Sequence, residues 1–220
     1  MLTFAAMKRK IFSILAAIGL FAPLSAQPID SLFYHTPDNL MPFLEGNSRL
    51  DLLDLYNCGM KAEVSNDLNG QTVLLEKDSL HFRVQTTASS DLAVHLLSLG
   101  KDTLLACVRT VHRPRRQSEV FFYTPAWDLV KIKSPFAPSL SACWQPTDSL
   151  TVDRQDQLRQ ALQPLCFYAE WKIAEGREPQ LEYRLSTEGL VEEDRKAAAA
   201  CLRPIVYVWR NNKLVKVSSK

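Results

Sequence analysis

Three arginines within four positions, in the run His112-Arg113-Pro114-Arg115-Arg116, form the one concentrated charge in the chain. Guanidiniums this close repel one another, and their planar forks match carboxylate and phosphate oxygens, so the run gains from a bound anion or from nearby acids. His112, Arg113, Arg115 and Arg116 are therefore the candidate contacts for an anion or a partner, such as surface polysaccharide or lipid head groups. A solvated hairpin tip is the plainer account of the same residues. Phe121, Phe122 and Tyr123 follow closely. Three successive rings on a strand occupy both faces of a sheet, so at least one must be covered by another element, a ligand or a partner.

Other reactive side chains form no recognisable constellation. His35, His81, His95 and His112 have no metal-binding spacing and no Cys-x-x-Cys pair exists, so no metal centre is expected. The glycines are too scattered to cradle a phosphate, and there is no Gly-x-Ser-x-Gly elbow; no cofactor and no catalytic residue are assigned. Cys107 and His112 are near in sequence, but five extended residues span roughly 16 Å. The apolar run around Cys107 also raises its thiol pKa, so it reads as a core thiol. Glu192 and Glu193 point about 100° apart on a helix. They suit the positive helix end better than a paired-carboxylate reaction.

Composition and leader set the compartment. Lys8, Arg9 and Lys10 precede an apolar run at residues 11–22 and the small-residue sequence Leu24-Ser25-Ala26, the pattern of a signal peptide over residues 1–26. Met7 is the expected working start. The apolar run is shorter than the roughly 20 residues that cross a bilayer, so the mature chain from Gln27 is expected in the periplasm or on the outer surface without a transmembrane span. A leader with three bases and no acid turns 26 Lys and Arg against 24 Asp and Glu into a slight acidic excess. The basic isoelectric point thus gives no warrant for a nucleic-acid partner. Five cysteines in an exported chain permit disulfides, yet the number is odd and the spacings wide, so most are expected to be small buried residues.

These residues need a scaffold, and the pattern predicts an α+β fold, an antiparallel meander with a few packed helices. After an arm at residues 27–47, Ser48 and Asp51 mark a helix start, and Leu50, Leu53 and Asn57, widened by Leu52, Leu55 and Tyr56, form its core-facing stripe. Gly59 ends it. Asn69-Gly70 is a turn, and strands are expected at 71–76, 80–85, 92–97, 103–111 and 119–123, with Leu80, Phe82 and Val84 buried in the second. Together residues 48–132 form a helix plus antiparallel sheet. A Pro- and Ser-rich crossing at 133–149 is laid against the body through Phe136 and Trp144. Residues 150–220 form a C-terminal α+β part packed on the preceding sheet. It has helices at 153–162 and 191–202, strands around Phe167 to Ile173 and Leu181 to Leu185, and a closing hairpin about Asn211-Asn212.

The run Arg49-Leu50-Asp51-Leu52-Leu53-Asp54-Leu55-Tyr56, then Gly59-Met60-Lys61-Ala62, Asn66, Asn69-Gly70 and Val108-Arg109-Thr110-Val111, resembles a secreted Bacteroidota family, domain of unknown function 3256. Leu202-Arg203-Pro204 and the strand ending in Trp209 are similar to its C-terminus. The resemblance implies a compartment and a lineage, and no catalytic residue. The expected function is an exported, non-enzymatic binding or accessory protein of the cell envelope with a protein or glycan partner. The alternatives are an exported hydrolase with an acidic site and a structural envelope component.

Overall fold

A computed structural model describes residues 29–99, 102–132, 138–173, 178–210 and 213–217. The leader expected at residues 1–26, the turns expected at Gly100-Lys101 and Asn211-Asn212, Phe136 and Gly176 lie outside the described residues. The element order is α1 Ile29–Tyr34, α2 Gly46–Asn57, β1 Glu63–Ser65, β2 Gln71–Lys77, β3 His81–Thr87, β4 Ser90–Leu99, β5 Asp102–Val111 and β6 Gln117–Tyr123. Then come α3 Leu140–Cys143, α4 Val152–Ala161, β7 Phe167–Lys172, β8 Gln180–Leu185, α5 Glu192–Cys201, β9 Ile205–Arg210 and β10 Lys213–Val217. Strands β1 to β6 form an antiparallel meander, and the second sheet has the order β10-β9-β8-β7. The fold is α+β.

The meander separates two apolar cores because its central strands bury both faces. In β5, Leu105 and Cys107 face one core while Leu104, Ala106 and Val108 face the other, the two-residue period of a strand. On the first side α1, α2 and the arm residues Leu40, Met41 and Leu44 cover Phe82, Val84, Leu92 and Val94. On the second side the four-stranded sheet, with Leu158 and Leu162 of α4 and its end and Ala198 and Cys201 of α5, closes over β5 and β6. The three aromatics of β6 divide as the strand period requires. Phe122 enters the second core, and Phe121 and Tyr123 turn to the first.

Helix α2 begins earlier than its sequence suggests, at Gly46 with Glu45 as the cap residue, so Ser48 lies inside the first turn and caps nothing. The amide of Arg49 already closes that turn on the Glu45 carbonyl. Its buried face is Arg49, Leu52 and Leu53, while Leu50 is 45% exposed. A buried arginine, holding the arm, occupies a place that the apolar stripe assigned to leucine. The far end is as read: Gly59 takes φ +69°, and the amides of Met60 and Gly59 donate to the carbonyls of Leu55 and Tyr56 in a Schellman arrangement.

Leu80 is likewise corrected. It stands outside β3 and is 52% exposed, because the Asp78 carboxylate accepts from the amides of Leu80 and His81 and turns the chain before the strand starts. The short β1 has no sequence counterpart, since three residues carry too little period to read. In the Pro- and Ser-rich crossing, residues 133–137 are outside the described set. The rest is packed as expected: Trp144 is buried and bridges to Leu202, while Arg203 donates its amide to the Cys143 carbonyl. No helix among the described residues is long and apolar enough to cross a membrane.

Candidate functional site

The second sheet covers only part of the meander face it meets, and the uncovered part is a cleft of about 870 Å³ between the sheets. Strand alternation and register place its floor. His81 pairs with His95, Arg83 with Ala93, Asp91 with Thr110 and Ala93 with Val108, so these side chains share one face. The edge strand β7 and the residue after it supply the wall, through Tyr168, Glu170, Trp171 and Ile173.

Charge on the floor is organised in pairs. Asp78 lies 2.7 Å from His81 Nδ1. Partial burial opposes ionisation of Asp78, but the Leu80 and His81 amides and the His81 ring together hold its carboxyl below the usual range. The His81 ring stacks on His95 at 5.2 Å between centroids and 9° between planes. Burial, reinforced by the neighbouring His81, pushes the His95 imidazole down to about 4, so it is neutral near pH 7. Arg83 donates to Asp91 through Nε at 3.2 Å and Nη2 at 2.6 Å. Burial disfavours the Arg83 charge, and Asp91, with Glu76 and Glu170, more than offsets this. Asp91 is buried and also meets His112 Nε2 at 3.1 Å.

The run His112-Arg113-Pro114-Arg115-Arg116 is split three ways. His112 and Arg116 line the cleft. Arg116 lies over the Tyr168 ring at 4.6 Å and pairs with Glu188 at 3.2 Å, while its amide donates to the same carboxylate. Arg115 turns away and donates to the carbonyls of Leu162, Pro164 and Ala161, at 2.9, 3.2 and 3.2 Å. It thereby caps the negative end of α4. Arg113 has no hydrogen-bond or ion-pair partner among the described residues and faces a different groove, with Phe43 and Val111. The run is thus no free hairpin tip; it ties the meander to the C-terminal part, and its guanidiniums do not converge on one point.

Other reactive groups are placed apart from the cleft. Cys107 is fully buried in the core under α1 and α2, where burial pushes its thiol far up, and it faces away from His112. All five cysteines are free, with Cys143 and Cys201 also buried. Glu192 pairs with Arg195 and Lys196 on the surface of α5. No group of three His, Cys, Asp or Glu among the described residues is arranged to hold a metal ion. The cleft residues Glu76, Asp78, His81, Arg83, Asp91 and His95 were not singled out by motif. Their signal lay in the polar positions of three neighbouring strands and the turn between the first two, legible only once His81 is set opposite His95.

The profile of a family described as "Protein of unknown function (DUF3256)" matches residues 21–214. The chain belongs to this family. Its similarity to a solved structure, a domain of an uncharacterized protein from Porphyromonas gingivalis W83, covers 87% of this chain and 98% of that one, with a TM-score of 0.65 at 22% identity. That likeness extends to the fold. Among curated proteins no match is found.

Proposed function

We propose that this member of the family is an exported, non-enzymatic binding protein of a Bacteroidota cell envelope, and that it holds its ligand in the cleft between the two sheets. The observation that carries the reading is the lining of that cleft. Its volume suits one small ligand or a segment of a few residues of a larger chain, and it combines an aromatic wall with a few fixed polar groups. Carboxylates, guanidiniums and imidazoles interleaved in this way can both donate to and accept from hydroxyls and amides, which fits a glycan or peptide segment. A hydrolase would need acids free to take and give a proton. Here Asp78 is committed to His81, Asp91 to Arg83 and His112, and Glu76 to His81 and Arg83, so Glu170 is the one lining carboxylate without an ion pair among the described residues, short of the acid pair that glycoside cleavage uses.

Export rests on the leader pattern, and the lineage on the family resemblance together with the fold match to a Porphyromonas gingivalis protein. Fractionation of producing cells with N-terminal sequencing tests it. The folded protein is expected in the periplasmic or surface fraction, beginning at Gln27. Recovery from the cytoplasm with residues 1–26 still attached would overturn the assignment.

A further inference from the structure

On the opposite face of the meander, the strand ends of β5 and β6, the arm residues 40–43 and the Arg113-Pro114 turn enclose a second groove of about 560 Å³. Its lining sets an apolar stretch beside the hydroxyls of Thr86, Thr87 and Ser90 and the amide of Gln117. Phe43 is 42% exposed and Val111 43% exposed, with Pro42, Pro114 and buried Leu40 beside them. Phe43 holds this place at φ +67°, a left-handed backbone that a bulky residue rarely adopts, and its carbonyl accepts from the Asp67 amide. The polar lining is biased to one sign, with Arg109, Arg113 and Arg115 against the single carboxylate of Glu119. Arg109 is tied to Glu119 and the Asn39 carbonyl, and Arg115 to the end of α4. Arg113 is the one cation at the rim without a partner among the described residues.

We propose that this groove binds a single-chain anionic amphiphile, with its carboxylate on the Arg113 guanidinium and its hydrocarbon chain along Pro42, Phe43, Val111 and Pro114. A guanidinium fork takes a carboxylate bidentately, and the bare apolar wall beside it gains from a covering chain. The enclosed volume matches a small-ligand site. Stable protein–protein faces, by contrast, use about 20 to 30 residues on each side, and the fourteen that line this groove are too few to make one alone. The site is separate from the inter-sheet cleft and takes a ligand of different chemistry.

Calorimetric titration of the purified protein with decanoate and decyltrimethylammonium below their micelle concentrations, decanol below its solubility limit, acetate, and an acidic, Phe-containing hexapeptide tests the assignment. Decanoate should bind at least about tenfold more tightly than decanol, as a charge-assisted hydrogen bond implies, and should weaken as salt rises. Arg113→Gln, at an exposed and unpartnered position, should weaken decanoate about tenfold while leaving decanol within about twofold. Ala93→Trp, which fills the inter-sheet cleft, should bind decanoate as wild type does. Equal decanoate affinity in wild type and Arg113→Gln would overturn the proposal, as would decyltrimethylammonium binding as well as decanoate. Acetate binding as tightly as decanoate would mean a bare anion site, and tighter capture of an acidic, Phe-containing hexapeptide would mean a peptide groove. Either would replace the amphiphile. Loss of decanoate binding in Ala93→Trp would move the site to the other cleft.

Discussion

Arg49→Ala is expected to lower the unfolding free energy by about 3 to 5 kcal/mol, the cost of leaving two or more buried carbonyls without their donor. Arg49 is 5% exposed on α2. Its guanidinium donates to the carbonyls of Leu44, Tyr34, Thr36 and Met41 and to the Asp38 carboxylate. Asp38 is 94% exposed, so solvent screens that ion pair and it contributes little. The carbonyls decide the effect. They belong to the last residue of α1 and to the arm that follows it, where neither strand nor helix bonds satisfy them, and without Arg49 several are left buried and unpaired. Arg49→Lys should recover only part of the loss, because an ammonium cannot reproduce a five-donor planar fork. Urea unfolding of the three proteins measures this. A loss under about 1 kcal/mol for Arg49→Ala would show that the arm is held by its apolar residues alone.

Phe122→Ala should cost about as much, roughly 3 to 5 kcal/mol, through lost burial and the cavity left behind. The ring is 4% exposed and stacks on Trp209 at 5.8 Å, with Trp171 edge-on at 6.3 Å. It is the meander's aromatic contribution to the core shared with the second sheet, so its removal loosens both. Wild type should unfold in one transition, seen alike by tryptophan fluorescence, which reports mainly the second sheet, and by far-ultraviolet dichroism. Two separated transitions in wild type, or an unchanged midpoint in Phe122→Ala, would mean that the sheets fold independently.

The strands were legible because burial and period agree. Phe82 and Val84 alternate with His81, Arg83 and Gln85, and Leu92 and Val94 with Asp91, the small Ala93 and His95, which fixes β3 and β4, while the unbroken apolar run of β5 reflects a strand covered on both faces. The Schellman end of α2 was legible for a similar reason, since Gly59 does there what few other residues can. The start of α2 was not. A serine three residues ahead of an aspartate reads as a cap whether or not the chain is already helical, and Arg49 looks like any solvated helix base. Its buried role depends on the arm folding back over it.

The candidate cleft was illegible for a different reason. His81 and His95 are fourteen residues apart and meet only through strand register, and the wall at Tyr168 to Ile173 is supplied by another sheet. The arginine run was visible as composition, but its partners were not. Arg115 reaches carbonyls 46 to 49 residues away, and Arg116 a carboxylate 72 residues away. What a local window reads as mutual repulsion is relieved by distant groups that separate the charges.

The inter-sheet cleft is most directly tested by native mass spectrometry of the wild type and Ala93→Trp recovered from their own cell envelope at neutral pH. Ala93 lines the cleft floor, pairs with Arg83 and Val108, and is half-buried, so an indole there fills the space without entering either core. The expected result is a non-covalent mass on the wild type that is missing from Ala93→Trp, with both proteins folded. The same non-covalent mass on both proteins, or none on either, would contradict the cleft as the binding site.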